Sequence, residues 1–546
     1  MHDSAVMGPV PRAGRREWLG LVVLALPTLL MAMDQSVLYL ALPRLSENLG
    51  ASPTQSLWIL DIYGFLLAGF LVTMGNLGDR IGRRRLLLMG AAGFLATTLV
   101  AAYSVSPAML IAARALMGIA GATLMPSTLA LITSMFKDAR QRASAIAAWF
   151  GALMVGGALG PVVGGILLDH FWWGSVFLIG VPVMALLLVA GPVLLPEYRA
   201  PSPGRVDLVS VVLSLATILP VIYGIKQLAA GNGVTRVAVV SIVTGLAFGV
   251  AFTLRQRKLA DPLVDLRLFR NRSFRSALLV LMASSVTVGG MYLFVSLYLQ
   301  AVKGQSPLAA GFWLVPSTLA IVVSSAITPG LAQRVRPAYL ITAGMLITAA
   351  GYLLLTQVSS SSGLALLVTG FVIAFFGGGP MGALGPNMVI SAAPAERVGA
   401  AASISETSNQ LGIALGIAVM GSIGTAVYRS QITRLAPHGT VAAAKQSITG
   451  AVATAAHLPG PAAHHLLATA REAFSTGLNI VAVTGAVAFV ALAALVAITL
   501  RQVTPAAEGS PAGPGGGSLS PAQHKDLVPA EPTADSRERG GRRGWS

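Results

Sequence analysis

The chain has 546 residues, 55% of them hydrophobic and only 10% charged, and a mean hydropathy of +0.75; this excludes an ordinary soluble fold and makes lipid the solvent for most of the protein. It contains no cysteine, which excludes disulfides, thiolate metal sites and cysteine nucleophiles. The net charge of +17 would suggest a nucleic-acid partner in a soluble protein, but its distribution along the chain gives a different account.

After an N-terminal arm at 1–17, apolar runs long enough to cross a bilayer fall at 18–42, 56–75, 86–104, 107–134, 143–168, 173–195, 206–228, 236–254, 274–300, 307–332, 338–357, 363–390, 398–426 and 475–500, fourteen spans in all. The first run is too long for a signal-peptide core, carries Asp34 and leads straight into further spans, so it is the first span. Basic residues cluster on alternate loops: Arg12, Arg15 and Arg16, then Arg80 and Arg83–Arg85, Lys137 to Arg142, Arg199 and Arg205, a dense run over 255–275, and Arg334, Arg336 and Arg397. Loops on the other face hold only Arg44, Lys226, Arg236 and Lys303, so the positive-inside rule places both termini in the cytoplasm. The charge therefore reports topology, and no nucleic-acid partner is expected.

An external loop at 428–474, with His438, His457, His464 and His465, is expected to be a surface segment with at most one amphipathic helix; adjacent histidines on a helix cannot face one metal. The tail at 502–546, rich in Gly, Pro and Ser, is expected to be disordered. No Walker-type phosphate loop occurs, so any transport is secondary. The run Gly377-Gly378-Gly379-Pro380 in span 12 reads as a hinge or unwound segment.

The loop after span 2, Gly75-Asn76-Leu77-Gly78-Asp79-Arg80-Ile81-Gly82-Arg83-Arg84-Arg85, has a worn counterpart after span 10, Pro329-Gly330-Leu331-Ala332-Gln333-Arg334-Val335-Arg336. Aligning the two makes spans 1–6 (18–195) and 9–14 (274–500) equivalent six-helix bundles, with two inserted helices at 206–254, although two short basic loops can also match by chance.

Asp34 lies about 24 Å along span 1 from Trp18 at ~1.5 Å per residue, well inside the bilayer, where a carboxylate is a functional candidate by default. Arg114, about 10 Å into span 4 from Pro107, lies at a comparable depth. The two make either a proton switch, burial and a guanidinium acting oppositely on the carboxyl group, or a static structural pair. Asp61, a few residues into span 2, reads either as a cavity carboxylate or as an interfacial residue that hydrates. Glu406, about 13 Å along span 13 from Arg397 and flanked by Ser403, Ser405 and Asn409, is near mid-membrane and the stronger cation ligand. A quaternary ammonium group would also seek aromatic faces: Trp58, Tyr63 and Trp149 are the candidates, ahead of Tyr292, Phe294, Tyr298 and Trp313, since membrane aromatics more often pack or form interfacial belts.

These residues resemble the major facilitator superfamily, specifically its fourteen-span drug:proton antiporters. The resemblance rests on Asp34-Gln35-Ser36-Val37 with Ala41-Leu42-Pro43; on the loop motif from Gly75 to Arg84; on Arg114, Gly118, Gly121 and Ala122 in span 4; and on Gly156, Gly160, Pro161, Gly164 and Gly165 in span 5. Trp58-Ile59-Leu60-Asp61-Ile62-Tyr63, with Glu406, is most similar to QacA-type and SmvA-type quaternary-ammonium pumps. The resemblance implies an all-α integral membrane fold of two six-helix bundles, in the inner or plasma membrane. It also implies export of hydrophobic cationic drugs, dyes or biocides in exchange for protons, by a transporter and not an enzyme, working as a monomer with no cofactor or metal. Asp34, Arg114 and Asp61 would then couple protons, Glu406 and Asp61 hold the cation, and Asp79, Arg80 and Arg83 lock a cytoplasmic gate with Gly75 and Gly82. The span-5 glycines match the antiporter motif and physically allow close helix approach. An acid found on span 10 of some QacA-type pumps has no counterpart between Leu314 and Pro329, which puts dication specificity in doubt. A dedicated exporter of an endogenous metabolite or antibiotic is the nearest alternative, and a non-transporting membrane receptor or scaffold the alternative of another class.

Overall fold

A computed structural model describes residues 13–199, 207–229, 235–259, 262, 264–392, 398–435 and 442–499. The tail at 502–546, Arg12, Arg205, Arg397 and His438 lie outside the described residues, as does the Ser403 side chain.

The apolar runs become fourteen helices long and apolar enough to cross a membrane: α1 Arg15–Leu49, α2 Pro53–Ile81, α3 Arg83–Ala102, α4 Pro107–Met135, α5 Ala139–His170, α6 Ser175–Leu194, α7 Leu208–Ala229, α8 Arg236–Lys258, α9 Arg272–Leu297, α10 Pro307–Ala332, α11 Pro337–Leu355, α12 Leu364–Ser391, α13 Val398–Leu435 and α14 Gly460–Thr499. An even number of crossings puts both ends of the described chain on one side, here the termini face. On the opposite face α2, α4 and α10 start alike: Ser52, Ser106 and Ser306 cap the helix and are followed by Pro53, Pro107 and Pro307. The serine satisfies a free backbone N–H, and proline has none to leave unpaired. On the termini face Gly82 turns the chain between α2 and α3 at φ +112°, a conformation that L side chains rarely adopt. A Cβ there would also displace the Glu197 carboxylate, but that side chain is flexible, and it is the positive φ that calls for glycine.

Helices α1–α6 and α9–α14 form two bundles. The inserted hairpin stands outside them: α7 packs into the groove between α2 and α13, with Ile222 against Ile62, Leu66, Ala414 and Ala418, while most α8 side chains are exposed, as for a lipid-facing helix. Asp207 with Arg255, at 2.9 Å, and Ser210 with Gln256, at 2.6 Å, clasp the two inserted helices together.

The span-5 glycines have two faces. Gly156, Gly160 and Gly164 abut Leu29, Ser36 and Val37 on α1, whereas Gly165 abuts the Leu308 backbone on α10, and Gly311 on α10 lies against the Pro161 carbonyl. One face thus closes a bundle and the other closes the seam between bundles. At the opposite face Asp169 accepts a hydrogen bond from Ser306 at 3.0 Å and lies 3.6 Å from Arg44, joining α1, α5 and α10.

Three expectations change. The segment expected as a loop at 428–474 is largely helical: α13 continues to Leu435, α14 starts at Gly460, and short helices Ala442–Gln446 and Ile448–Ala455 lie between them, held by the Tyr428 hydroxyl donating to the Ala444 carbonyl. Gly377 to Pro380 do not unwind; α12 is continuous, and Gly377 and Gly379 let α11 and α10 approach through Gly344, Thr348 and Ser324. Lys226, placed by charge counting in an outer loop, is a buried residue of α7.

Two adjacent glycines of α5 test this packing. Gly156→Ala puts a methyl group against the Leu29 backbone and is expected to destabilise the detergent-purified protein by about 1–3 kcal/mol, whereas Gly157→Ala, with nothing within 4 Å, should leave the melting temperature unchanged. Equal melting temperatures for the two variants would contradict the packing.

Candidate functional site

Asp34 and Arg114 meet where α1 crosses α4. Arg114 Nη1 donates to Asp34 Oδ2 at 2.5 Å, and the two side chains are 1% and 8% exposed. Arg114 Nε also donates to the Ile59 carbonyl of α2, and its guanidinium lies 4.6 Å from the Tyr63 ring centroid. The arginine therefore touches α1 and α2 as well as its own helix, and loss of the Asp34 charge would leave it with a carbonyl and an aromatic face as partners.

Glu406 stands at the seam from the other bundle. Gln410, one turn further along α13, donates to Glu406 Oε1 at 3.0 Å, and Gln410 Oε1 accepts from Gln35 Nε2 at 3.3 Å. A continuous polar chain so runs from Glu406 to α1, ending on the residue next to Asp34. Among the described residues Glu406 has no ion pair, unlike Asp34. Between these groups lies a cavity of about 20 Å³ lined by Gln35, Tyr39, Asp61, Tyr63, Arg114 and Gln410, among others, space for about one water molecule. Tyr39 also stacks obliquely on Tyr292 across the seam, with ring centroids 4.9 Å apart.

Asp61 is fully buried and pairs with Lys226 of α7 at 2.7 Å. The same ammonium lies 3.9 Å from the centroid of the Trp58 ring. Both groups expected to meet a substrate cation thus already hold one. Tyr63 faces Arg114, and Trp149 donates from Nε1 to Thr128 at 3.2 Å between α4 and α5, inside its own bundle. At the termini face Asp79 pairs locally with Arg83 at 2.6 Å, Arg80 is exposed, and Gly75 lies in ordinary contact with Pro126. Asp79 and Arg83 are therefore engaged with each other within one bundle. Among the described residues no group of three His, Asp or Glu side chains could hold a metal.

Sequence reasoning brings Asp34 and Arg114 to one depth and marks Glu406, but misses Gln35, Gln410 and Lys226 as parts of the site. Gln410 carries a signal, the i,i+4 spacing from Glu406. Lys226 carries one too: it closes an unbroken apolar run that begins at Leu208, where a lysine inside the span is as plausible as one beyond it.

A family profile described as Major Facilitator Superfamily matches residues 24–417. The chain is 42% identical over 494 residues to the multidrug efflux pump LfrA of Mycolicibacterium smegmatis, a match covering 90% of this chain and 98% of that protein. It is 35% identical over 467 residues to the methyl viologen resistance protein SmvA of Salmonella typhimurium, covering 84% and 93% respectively. Its fold is similar to the crystal structure of a bacterial homolog to the human lysosomal transporter Spinster in an inward-facing, unoccupied conformation, with a TM-score of 0.63 at 17% identity over 90% of this chain and 98% of that one.

The geometry around Arg114 ranks two substitutions. Arg114→Met strands a buried carboxylate and is expected to cost about 3–5 kcal/mol, whereas Asp34→Asn keeps an acceptor for the guanidinium and should cost about 1.5–3 kcal/mol. Thermal denaturation in detergent reads the order, and a neutral Arg114→Met would contradict it.

Proposed function

The chain belongs to the Major Facilitator Superfamily, and on that premise we propose that it is a proton-coupled antiporter expelling hydrophobic cationic drugs, dyes or biocides across the cell membrane in which it is a multi-pass protein. The observation that carries this reading is Glu406: a carboxylate at the seam of the two bundles, without a cationic partner among the described residues, joined through Gln410 and Gln35 to the helix that bears Asp34. A carboxylate in a bilayer interior is costly unless it meets a positive charge, so an organic cation is the natural complement of this site. LfrA and SmvA, named for multidrug efflux and for resistance to methyl viologen, lend support over nearly the full membrane domain.

The exchange follows from charge balance. With Asp34 ionised and bound to Arg114, the one unmatched negative charge of the polar chain is on Glu406, and a cationic amphiphile entering from the termini face neutralises it. That face is taken as cytoplasmic because the basic loops lie on it. Protonation of Asp34 removes the charge that holds Arg114 on α1. It thereby loosens α1 against α4 and alters the Gln35 contact to Gln410 that helps fix Glu406. Hydrogen bonds between the bundles run from Gln35–Gln410 to Ser296–Tyr39 and Ser306–Asp169. The last of these closes the opposite face, an arrangement suited to rocking open on that side when the Asp169 closure breaks. Proton and drug are then linked because neutralising Asp34 and neutralising Glu406 act on the two ends of one hydrogen-bonded chain in a low-dielectric site, and no cofactor is invoked.

In inverted vesicles Asp34→Asn is expected to abolish proton-driven export of ethidium while the protein still inserts, and undiminished export would remove Asp34 from the mechanism. Glu406→Gln should weaken equilibrium binding of ethidium to the purified chain at least tenfold, roughly the worth of one hydrogen-bonded or desolvated charge contact; binding equal to that of the unsubstituted chain would exclude direct contact.

A further inference from the structure

The two inserted helices have no place in a scheme of two rocking bundles, yet α7 supplies a cation whose side chain is as buried as that of Arg114. Lys226 is 1% exposed at its side chain and Asp61 is 0% exposed. The ammonium sits 2.7 Å from Asp61 Oδ2 and 3.9 Å from the centroid of the Trp58 ring. Among the described residues both Asp61 carboxylate oxygens are buried with no hydrogen-bond partner, and the Lys226 ammonium is the charge set against them. A carboxylate beside an indole face is the chemistry that selects an organic ammonium ion. We infer that Asp61 and Trp58 form a second cation site whose resident occupant is the Lys226 ammonium, and that an aromatic quaternary-ammonium substrate enters this site by displacing the lysine.

The surroundings allow the displacement. Asp61 lines the same cavity as Gln35, Arg114 and Gln410, so the site opens onto the polar chain that leads from Glu406. Lys226 is three residues from the end of α7 at Ala229, toward the opposite face. Its flexible stem can therefore carry the ammonium out to the interface without dragging charge through the bilayer. The helix that bears it touches α2 of one bundle and α13 of the other through Ile222. It is clasped to α8 by Asp207–Arg255 and Ser210–Gln256, so withdrawal of the lysine frees a hairpin that bridges the moving seam. Lys226 thus acts as a tethered competitor: it keeps a buried carboxylate neutralised between transport cycles and sets a threshold that only a cation with an aromatic surface passes.

This rests on the reading of the protein as a cation exporter, and the test separates the two. Ethidium binding to the purified full-length chain is measured for the unsubstituted protein, Lys226→Met and Asp61→Asn/Lys226→Met, and the series is repeated with Glu406→Gln. A site blocked by its own lysine about nine-tenths of the time binds about tenfold more weakly than the open one. Lys226→Met should therefore gain about tenfold in affinity, and the double variant should lose that gain, in both backgrounds. An unchanged or weakened affinity in Lys226→Met, or a gain that survives Asp61→Asn, overturns the inference whatever Glu406→Gln does; the effect of Glu406→Gln alone judges the primary cation site. Amine labelling of the unsubstituted protein, read by mass spectrometry at Lys226, needs no variant to fold. Saturating ethidium should raise labelling at that residue, and labelling that stays flat at saturation overturns the inference equally.

Discussion

A charge placed in a bilayer must be paired, be neutralised by a proton, or face water, and this constraint organises the structure from the seam outward. Three carboxylates lie within the spans at the bundle interface, and each meets the constraint differently. Asp34 takes the guanidinium of a neighbouring helix in its own bundle. Asp61 takes the ammonium of a helix outside both bundles. Glu406, among the described residues, has the amide of Gln410 and no ion pair. The first arrangement is a pair that a proton can break, the second a pair that withdrawal of a helix can break, and the third a position that a mobile cation can complete. Differences in partner, more than in depth, separate the roles proposed for them.

Small residues make these pairings reachable. Arg114 touches Asp34 and the Ile59 carbonyl because α2 and α4 approach closely, with Gly118 set against the Tyr63 backbone. The α5 glycines do the same for α1 and, on the other side of the same helix, for α10. Close approach of this kind is bistable: two helix surfaces either interlock or separate by a side-chain radius, with little that is stable between. A motif that serves both the interior of a bundle and the seam is suited to passing a change at Asp34 to the contact between bundles.

Much of this was legible in the sequence, for identifiable reasons. Fourteen spans and their alternation follow from apolar run length and the basic loops, both direct consequences of lipid as solvent. Counting helical rise from Trp18 and Pro107 brings Asp34 and Arg114 to one level, because straight helices preserve depth. What stayed hidden depends on lateral neighbours. Gln35 and Gln410 are 375 positions apart and meet only because α1 and α13 face each other. Lys226 was read as a loop residue because a lysine at the edge of an apolar run satisfies the positive-inside count and a buried ion pair equally well; only the packing of α7 against α2 decides between them. Gly377 to Pro380 read as a break because glycine and proline weaken helices in water, whereas in a bundle the same residues admit neighbouring helices and the backbone stays hydrogen-bonded.

The polar chain from Glu406 to Gln35 bears on how a proton and a drug can be exchanged without sharing a residue. Direct competition for one carboxylate is the simplest coupling, but it demands that a bulky cation and a proton reach the same atoms. Here Asp34 is held by Arg114, which with Tyr63 lines a cavity with space for about one water molecule, whereas Glu406 lies on the seam between the bundles. Gln410 joins them because its amide donates to Glu406 and accepts from Gln35, so a shift of α1 would change the hydrogen bonding at Glu406. The amides carry no charge of their own and transmit position, not protons. In the exchange proposed above, a chain of this kind would let a proton at Asp34 and a cation at Glu406 influence each other without competing for the same atoms.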